Sequence, residues 1–84
     1  MNIVLVETSY GLFVGEEVGM FRTVLSNPYR IYFEENSLRF ESLGVGIAEV
    51  SEITIPRNNI IYKEEVTPEF KESYSQALEK DSKL

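Results

Sequence analysis

The stretch SNPYRIYFEENSLRFE, Ser26 to Glu41, decides the fold. Within it Tyr29, Ile31 and Phe33 alternate with Arg30, Tyr32 and Glu34, the period-two pattern of a strand with one buried face. Glu35-Asn36 reads as a hairpin tip, and Leu38 and Phe40 alternate with Arg39 and Glu41 in the returning strand. On the N-terminal side Ser26-Asn27-Pro28 breaks the pattern, because a proline has no N–H to give to a central ladder. An antiparallel hairpin entered through an Asn-Pro junction is the unit around which the rest is arranged.

Upstream, Ile3 to Thr8 is rich in β-branched residues and is closed by the turn signal Ser9-Tyr10-Gly11. Leu12 to Leu25 is a long segment interrupted by Gly15 and Gly19. Glycines inside a strand mark a bend, a bulge or a close backbone approach, so this segment predicts a long, strongly bent second strand. Downstream, Leu43-Gly44-Val45-Gly46-Ile47 reads as a flexible or bulged connection. Ile53 and Ile55 open another strand, and Pro56-Arg57-Asn58-Asn59 makes a tight turn. Ile60-Ile61-Tyr62 forms a short last strand that fades into Lys63-Glu64-Glu65.

The period then changes from two to 3.6. Thr67 suits an N-cap, Pro68 the first helical position and Glu69 the first turn, where a carboxylate meets the positive end of the helix dipole. Phe70, Tyr74, Ala77 and Leu78 fall on one stripe, with Lys71, Glu72, Gln76 and Glu79 opposite. The expected organisation is a β-barrel domain over residues 1–66, an amphipathic helix over 67–80 packed on it, and a frayed tail over 81–84. About five short antiparallel strands with a glycine-bent member predict a small, strongly bent, SH3-type barrel with a C-terminal helix.

Composition narrows the chemistry. The 84 residues hold fourteen acidic and eight basic side chains, a net charge of −6, with no Cys, His or Trp and a single aspartate, Asp81. No thiol nucleophile, imidazole base, disulfide or ordinary zinc or haem ligand set can be assembled from one chain. The expectation is a non-enzyme with no catalytic residues, no metal and no cofactor. With 43% hydrophobic residues the chain folds, yet one this small buries only roughly two-thirds of its unfolded surface. Unpaired strand edges and a small core both favour association with further copies. The N-terminus shows no basic, apolar and small-residue sequence of a targeting signal, and no apolar run is long enough to span a membrane. With the absence of cysteine, a cytoplasmic location is expected.

Three Glu-Glu pairs, at 16–17, 34–35 and 64–65, read as solvated charge, since adjacent strand residues point to opposite faces. Gly44-Val45-Gly46 begins like a dinucleotide fingerprint, but Glu49 stands where the third glycine belongs and no helix follows. Two junctions carry more information: Asn27-Pro28-Tyr29 and Pro56-Arg57-Asn58-Asn59. Amide, guanidinium and aromatic groups supply the edge hydrogen bonds, phosphate contacts and stacking that single-stranded nucleic acid requires. The same residue types also simply make good turns.

The order of these motifs resembles the Sm/LSm family. Ile3-Val4-Leu5-Val6, Val14-Gly15-Glu16-Glu17-Val18-Gly19, Leu25-Ser26-Asn27-Pro28-Tyr29-Arg30-Ile31, Ile55-Pro56-Arg57-Asn58-Asn59-Ile60 and a closing Pro68-Glu69-Phe70 with Tyr74 carry the resemblance. More closely, the chain is similar to small Sm-like proteins of cyanophages and marine viral metagenomes. The resemblance implies protomers joined through strand edges into a ring of roughly five to seven subunits. It also implies single-stranded RNA or DNA bound through two loops, in a bacterial host cell and in phage nucleic acid processing. Carried over by position, Asn27 would be the first loop's asparagine, Tyr29 a base stacker, and Arg57 and Asn58 the second loop's contacts. The sequence departs from the family in four places. Pro56 stands where the arginine is usual, the following glycine is replaced, the first-motif aspartate is missing, and the helix is C-terminal. A ring that binds a protein partner through its acidic surface or terminal helix, and no nucleic acid, is the alternative.

Overall fold

The computed structural model describes residues 2–43, 47–48 and 50–82. The Gly44-Val45-Gly46 segment and Glu49 lie outside the described residues, as do Lys83 and Leu84. The fold is mainly β: β1 (Ile3–Thr8), β2 (Gly11–Glu17), β3 (Thr23–Glu34), β4 (Ser37–Ser42), β5 (Glu52–Ile55) and β6 (Ile60–Glu65). A single 3-10 turn, Arg57–Asn59, joins β5 to β6, and helix α1 (Pro68–Ser82) closes the chain. The strands form one antiparallel sheet in the order β4-β3-β2-β1-β6, with β5 paired to β3 off that path. The sheet is strongly bent and barrel-like but not closed, since among the described residues β6 pairs only with β1.

The hairpin of residues 29–41 forms as its alternation requires, with Glu34 opposite Ser37 and Glu35 in the left-handed region at φ 52°. Two boundaries differ from the sequence reading. The segment from Leu12 does not run on to Leu25 as one strand; β2 ends at Glu17 and the chain turns over residues 18–22. The Val18 N–H bonds the Val24 carbonyl at 3.0 Å and closes that loop. Nor do Asn27 and Pro28 break a strand. They lie inside the 12-residue β3, which is the long bent strand of the fold.

The proline is tolerated because of where it falls. Before it, β3 pairs with β5 as far as Ser26, opposite Glu52; after it, with β4 from Tyr29, opposite Ser42. Pro28 therefore sits where the neighbour changes, and its missing N–H removes no ladder bond. On the other edge Val14 pairs with Tyr29 and Glu16 with Ser26, so Asn27 and Pro28 together oppose Gly15. This is a β-bulge, with Asn27 at φ 50°. A Cβ on Gly15 would stand 3.0 Å from both the Leu25 Cβ and the Ser26 carbonyl oxygen, a close approach that glycine permits.

The extra residue reverses the faces of β3. Leu25 joins Val4, Val6, Phe13 and Ile55 in a cluster on one face. Tyr29 and Ile31 join Ile3, Val14 and Tyr74 on the opposite face, beneath α1. Both faces of the sheet are thereby covered, one by the helix and one by the curl of the sheet. Phe33, expected on the buried face, is 74% exposed, because it sits next to the hairpin tip and the described helix contacts stop short of it.

Helix α1 begins as its caps predict, with the Thr67 hydroxyl accepting the Phe70 N–H at 3.3 Å. The Phe70, Tyr74, Ala77 and Leu78 stripe packs on the protein's own sheet. The helix continues two residues past the expected end at Lys80, because Asp81 is held: its carboxylate accepts hydrogen bonds from the Ser42 hydroxyl at 3.0 Å and from the Tyr29 hydroxyl. Among the described residues no helix is long and apolar enough to cross a membrane.

Candidate nucleic-acid interface

The loop over residues 18–22 and the 3-10 turn after β5 converge at one end of the sheet. They wall a cavity of about 480 Å³ that receives Met20, Phe21 and Arg22 from the loop and Pro56 and Arg57 from the turn. The convergence follows from pairing. Thr23, the first residue of β3, lies opposite Ile55, the last of β5, so the residues just outside the strands meet. Gly19 makes the loop this tight, as a Cβ there would overlap the Arg22 carbonyl oxygen.

Met20 and Phe21 are 91% and 90% exposed. Adjacent large apolar side chains in water are unusual and mark a contact surface. Arg22 and Arg57 are exposed, and among the described residues neither has a carboxylate partner. Lys63 of β6 lies on the wall of the cavity, but its charge is already engaged. It sits 2.5 Å from a Glu17 carboxylate oxygen and donates to the Thr23 hydroxyl at 3.3 Å. The cavity thus carries two free guanidinium groups and one exposed ring in a chain whose net charge is −6.

The four residues singled out in the sequence are not brought together. Arg57 lines the cavity; Asn58 is exposed on the same turn but is not part of the wall. Asn27 is exposed at the bulge, where its N–H bonds the Ser51 carbonyl at 2.8 Å. Ser51 and Pro56 flank β5, and five residues of extended chain place Asn27 about 17 Å from the Arg57 turn. Tyr29, the expected base stacker, is 5% exposed, and its ring meets Phe40 and Tyr74 edge-on at 6.0 and 5.7 Å.

Tyr29 and Tyr74 are both buried. Burial first, and then the Asp81 carboxylate it bonds, hold the Tyr29 hydroxyl well above the usual tyrosine value. Burial, followed by the negative charge of Glu16, pushes Tyr74 up to about 12. Among the described residues no three acidic side chains gather closely enough to hold a metal ion.

Sequence reading missed Met20, Phe21 and Arg22. Their signal was present, since two neighbouring large apolar residues cannot both face one side of a strand, and Gly19 precedes them. Compared with protein-family models, curated proteins and solved structures, the chain matches none.

Proposed function

We propose that this chain is a ring-forming, Sm-like protein that binds single-stranded RNA or DNA through the Phe21, Arg22 and Arg57 cluster. One observation carries the reading: an exposed aromatic ring and two guanidinium groups, without a carboxylate partner among the described residues, share one cavity on an otherwise acidic chain. A ring face offers stacking to a base of any sequence, and a guanidinium offers paired N–H donors to a phosphate. The acidic remainder repels phosphate elsewhere, which favours a strand held at this end only. Assembly is supported by the outer edges of β4, β5 and β6, which pair with no further strand among the described residues, the last bearing exposed Ile61 and Tyr62. A ring would set several copies of the cluster around one axis, so that a single arginine per chain becomes a circle of positive charge.

The test is an anisotropy titration with fluorescent oligoribonucleotides and oligodeoxyribonucleotides, on protein whose mass is known from light scattering. The expected mass is several times 9.7 kDa, and the expected binding weakens with salt and with Arg57→Ala. A monomeric mass refutes the ring. An oligomer without affinity at low salt refutes the nucleic acid and leaves the adaptor reading.

A further inference from the structure

The two walls of the cavity belong to one mechanical unit. Arg22 immediately precedes the first half of β3, Thr23–Ser26, and Arg57 follows β5 after Pro56; these two strand segments pair with each other. They form an arm, flanked on the β3 side by the end of β2 (Glu17 opposite Leu25, Glu16 opposite Ser26), whose tip carries the loop on one strand and the turn on the other. At its base the arm meets the rest of the sheet at the Asn27–Pro28 bulge, where β3 changes partners from β5 to β4. The Asn27 N–H joins the arm's other strand there, through the Ser51 carbonyl at 2.8 Å.

A side chain from outside the sheet grips this base. The Tyr74 hydroxyl lies 2.8 Å from the Asn27 carbonyl oxygen and 3.2 Å from that of Ser26, and the residue is completely buried. Helix α1 has a second polar attachment at its far end, Asp81 to Tyr29 and Ser42, which touches β3 and β4 beyond the bulge and not the arm. Tyr74 is the attachment that bears on the arm; the Tyr29 hydroxyl, which also lies 3.4 Å from the Ala77 carbonyl oxygen, bears on the sheet beyond the bulge.

We infer that Tyr74 is a positioning residue: its hydroxyl fastens a hinge at Asn27–Pro28 and so sets, from the opposite face of the sheet, where Phe21, Arg22 and Arg57 stand. The hinge is a statement about the fold; its consequence for ligand affinity rests on the nucleic-acid reading. An αL residue and a proline at a bulge form a short bend that regular ladder bonds do not brace on the β4–β5 side. Without the hydroxyl the carbonyls of Ser26 and Asn27 lose their buried donor, and the arm keeps its β2 pairing at Leu25 and Ser26 and the packing of Leu25, Ile53 and Ile55 but loses its tie to the helix.

The experiment compares Tyr74→Phe with Tyr29→Phe by amide hydrogen exchange and by oligonucleotide titration. Tyr74→Phe keeps the ring and its packing. It is expected to speed exchange of the Asn27 amide and of the β3–β5 ladder by about tenfold or more, leaving the β1–β2 ladder unchanged. Tyr29→Phe, which releases the other attachment, is expected to leave the arm amides at the wild-type rate. Oligonucleotide affinity should fall several-fold for Tyr74→Phe and hold for Tyr29→Phe. Unchanged arm exchange in Tyr74→Phe overturns the inference, as does equal acceleration of every strand or the same pattern from both variants. Wild-type protein that binds no oligonucleotide refutes the function proposed above, while the exchange pattern still decides the hinge.

Discussion

Gly19 packs against Arg22 so closely that a Cβ on the glycine would overlap the arginine's carbonyl oxygen. The loop bearing Met20, Phe21 and Arg22 can hold its shape only with glycine at that position. Gly19→Ala must push the two backbones apart at the tip of the loop. The expected result is a stability loss of about 1–3 kcal/mol with a larger proportional loss of oligonucleotide affinity. Thermal melting and anisotropy on the same preparation check both; unchanged affinity would separate loop shape from binding.

Phe21 and the two arginines should be distinguishable by salt. Phe21→Ala removes a stacking face, which should cost about 1–3 kcal/mol per stacked base and leave the salt dependence as it was. Arg22→Ala and Arg57→Ala should each weaken binding and lower the slope of log affinity against log salt by about 1 per protomer engaged. Titrations at three salt concentrations read both quantities.

Asp81 holds the end of α1 through Tyr29 and Ser42. Replacing it with alanine removes a charged acceptor that two hydroxyls share. A loss of about 1.5–3 kcal/mol is expected from urea unfolding, with fraying of the last helical turn visible in amide exchange. A chain ending at Lys80 should show the same loss. No change in either would mean the contact adds nothing to stability.

Alkaline solution should unfold this protein through its buried tyrosines. Both Tyr29 and Tyr74 have pKa values raised above the ordinary value of 10, so the folded state binds their protons more tightly than the unfolded state does. Stability from this source is complete below pH 10 and declines as the pH rises through the folded values, the lower being about 12 for Tyr74. The slope should approach about 1.4 kcal/mol per pH unit for each tyrosine above pH 10. Urea unfolding between pH 8 and 12 measures it, and Tyr74→Phe should remove one tyrosine's share.

How far the fold was legible depended on whether a pattern is local. The alternation of Tyr29, Ile31, Leu38 and Phe40 is satisfied within one hairpin, and the Thr67-Pro68 cap acts within one helical turn. Such patterns show in composition alone, because each side chain's neighbours are set by the backbone period. The odd-numbered run Leu25, Tyr29, Ile31 looks like one continuous face in the same way. It serves two faces, because the bulge at Asn27 shifts the parity by one residue, and nothing in the side-chain types announces it.

The candidate site was legible in part. Arg57 stands out by its turn, but the resemblance offers Tyr29 as a base stacker where α1 covers it, and the long second strand takes in Phe21 where it stands free. Exposure is a property of what packs on a residue, and the packing partner here lies 45 residues away in the case of Tyr29 and Tyr74.

By itself, then, the amino-acid sequence determined a cysteine- and histidine-free, mainly β chain with one terminal helix, since composition and period act over a few residues. Only the tertiary structure decided where β2 stops, which face each half of β3 presents, and that Arg22 and Arg57 share a cavity. Those outcomes follow from pairing between distant strands and from a helix seated on a bulge, contacts whose partners a linear pattern does not specify.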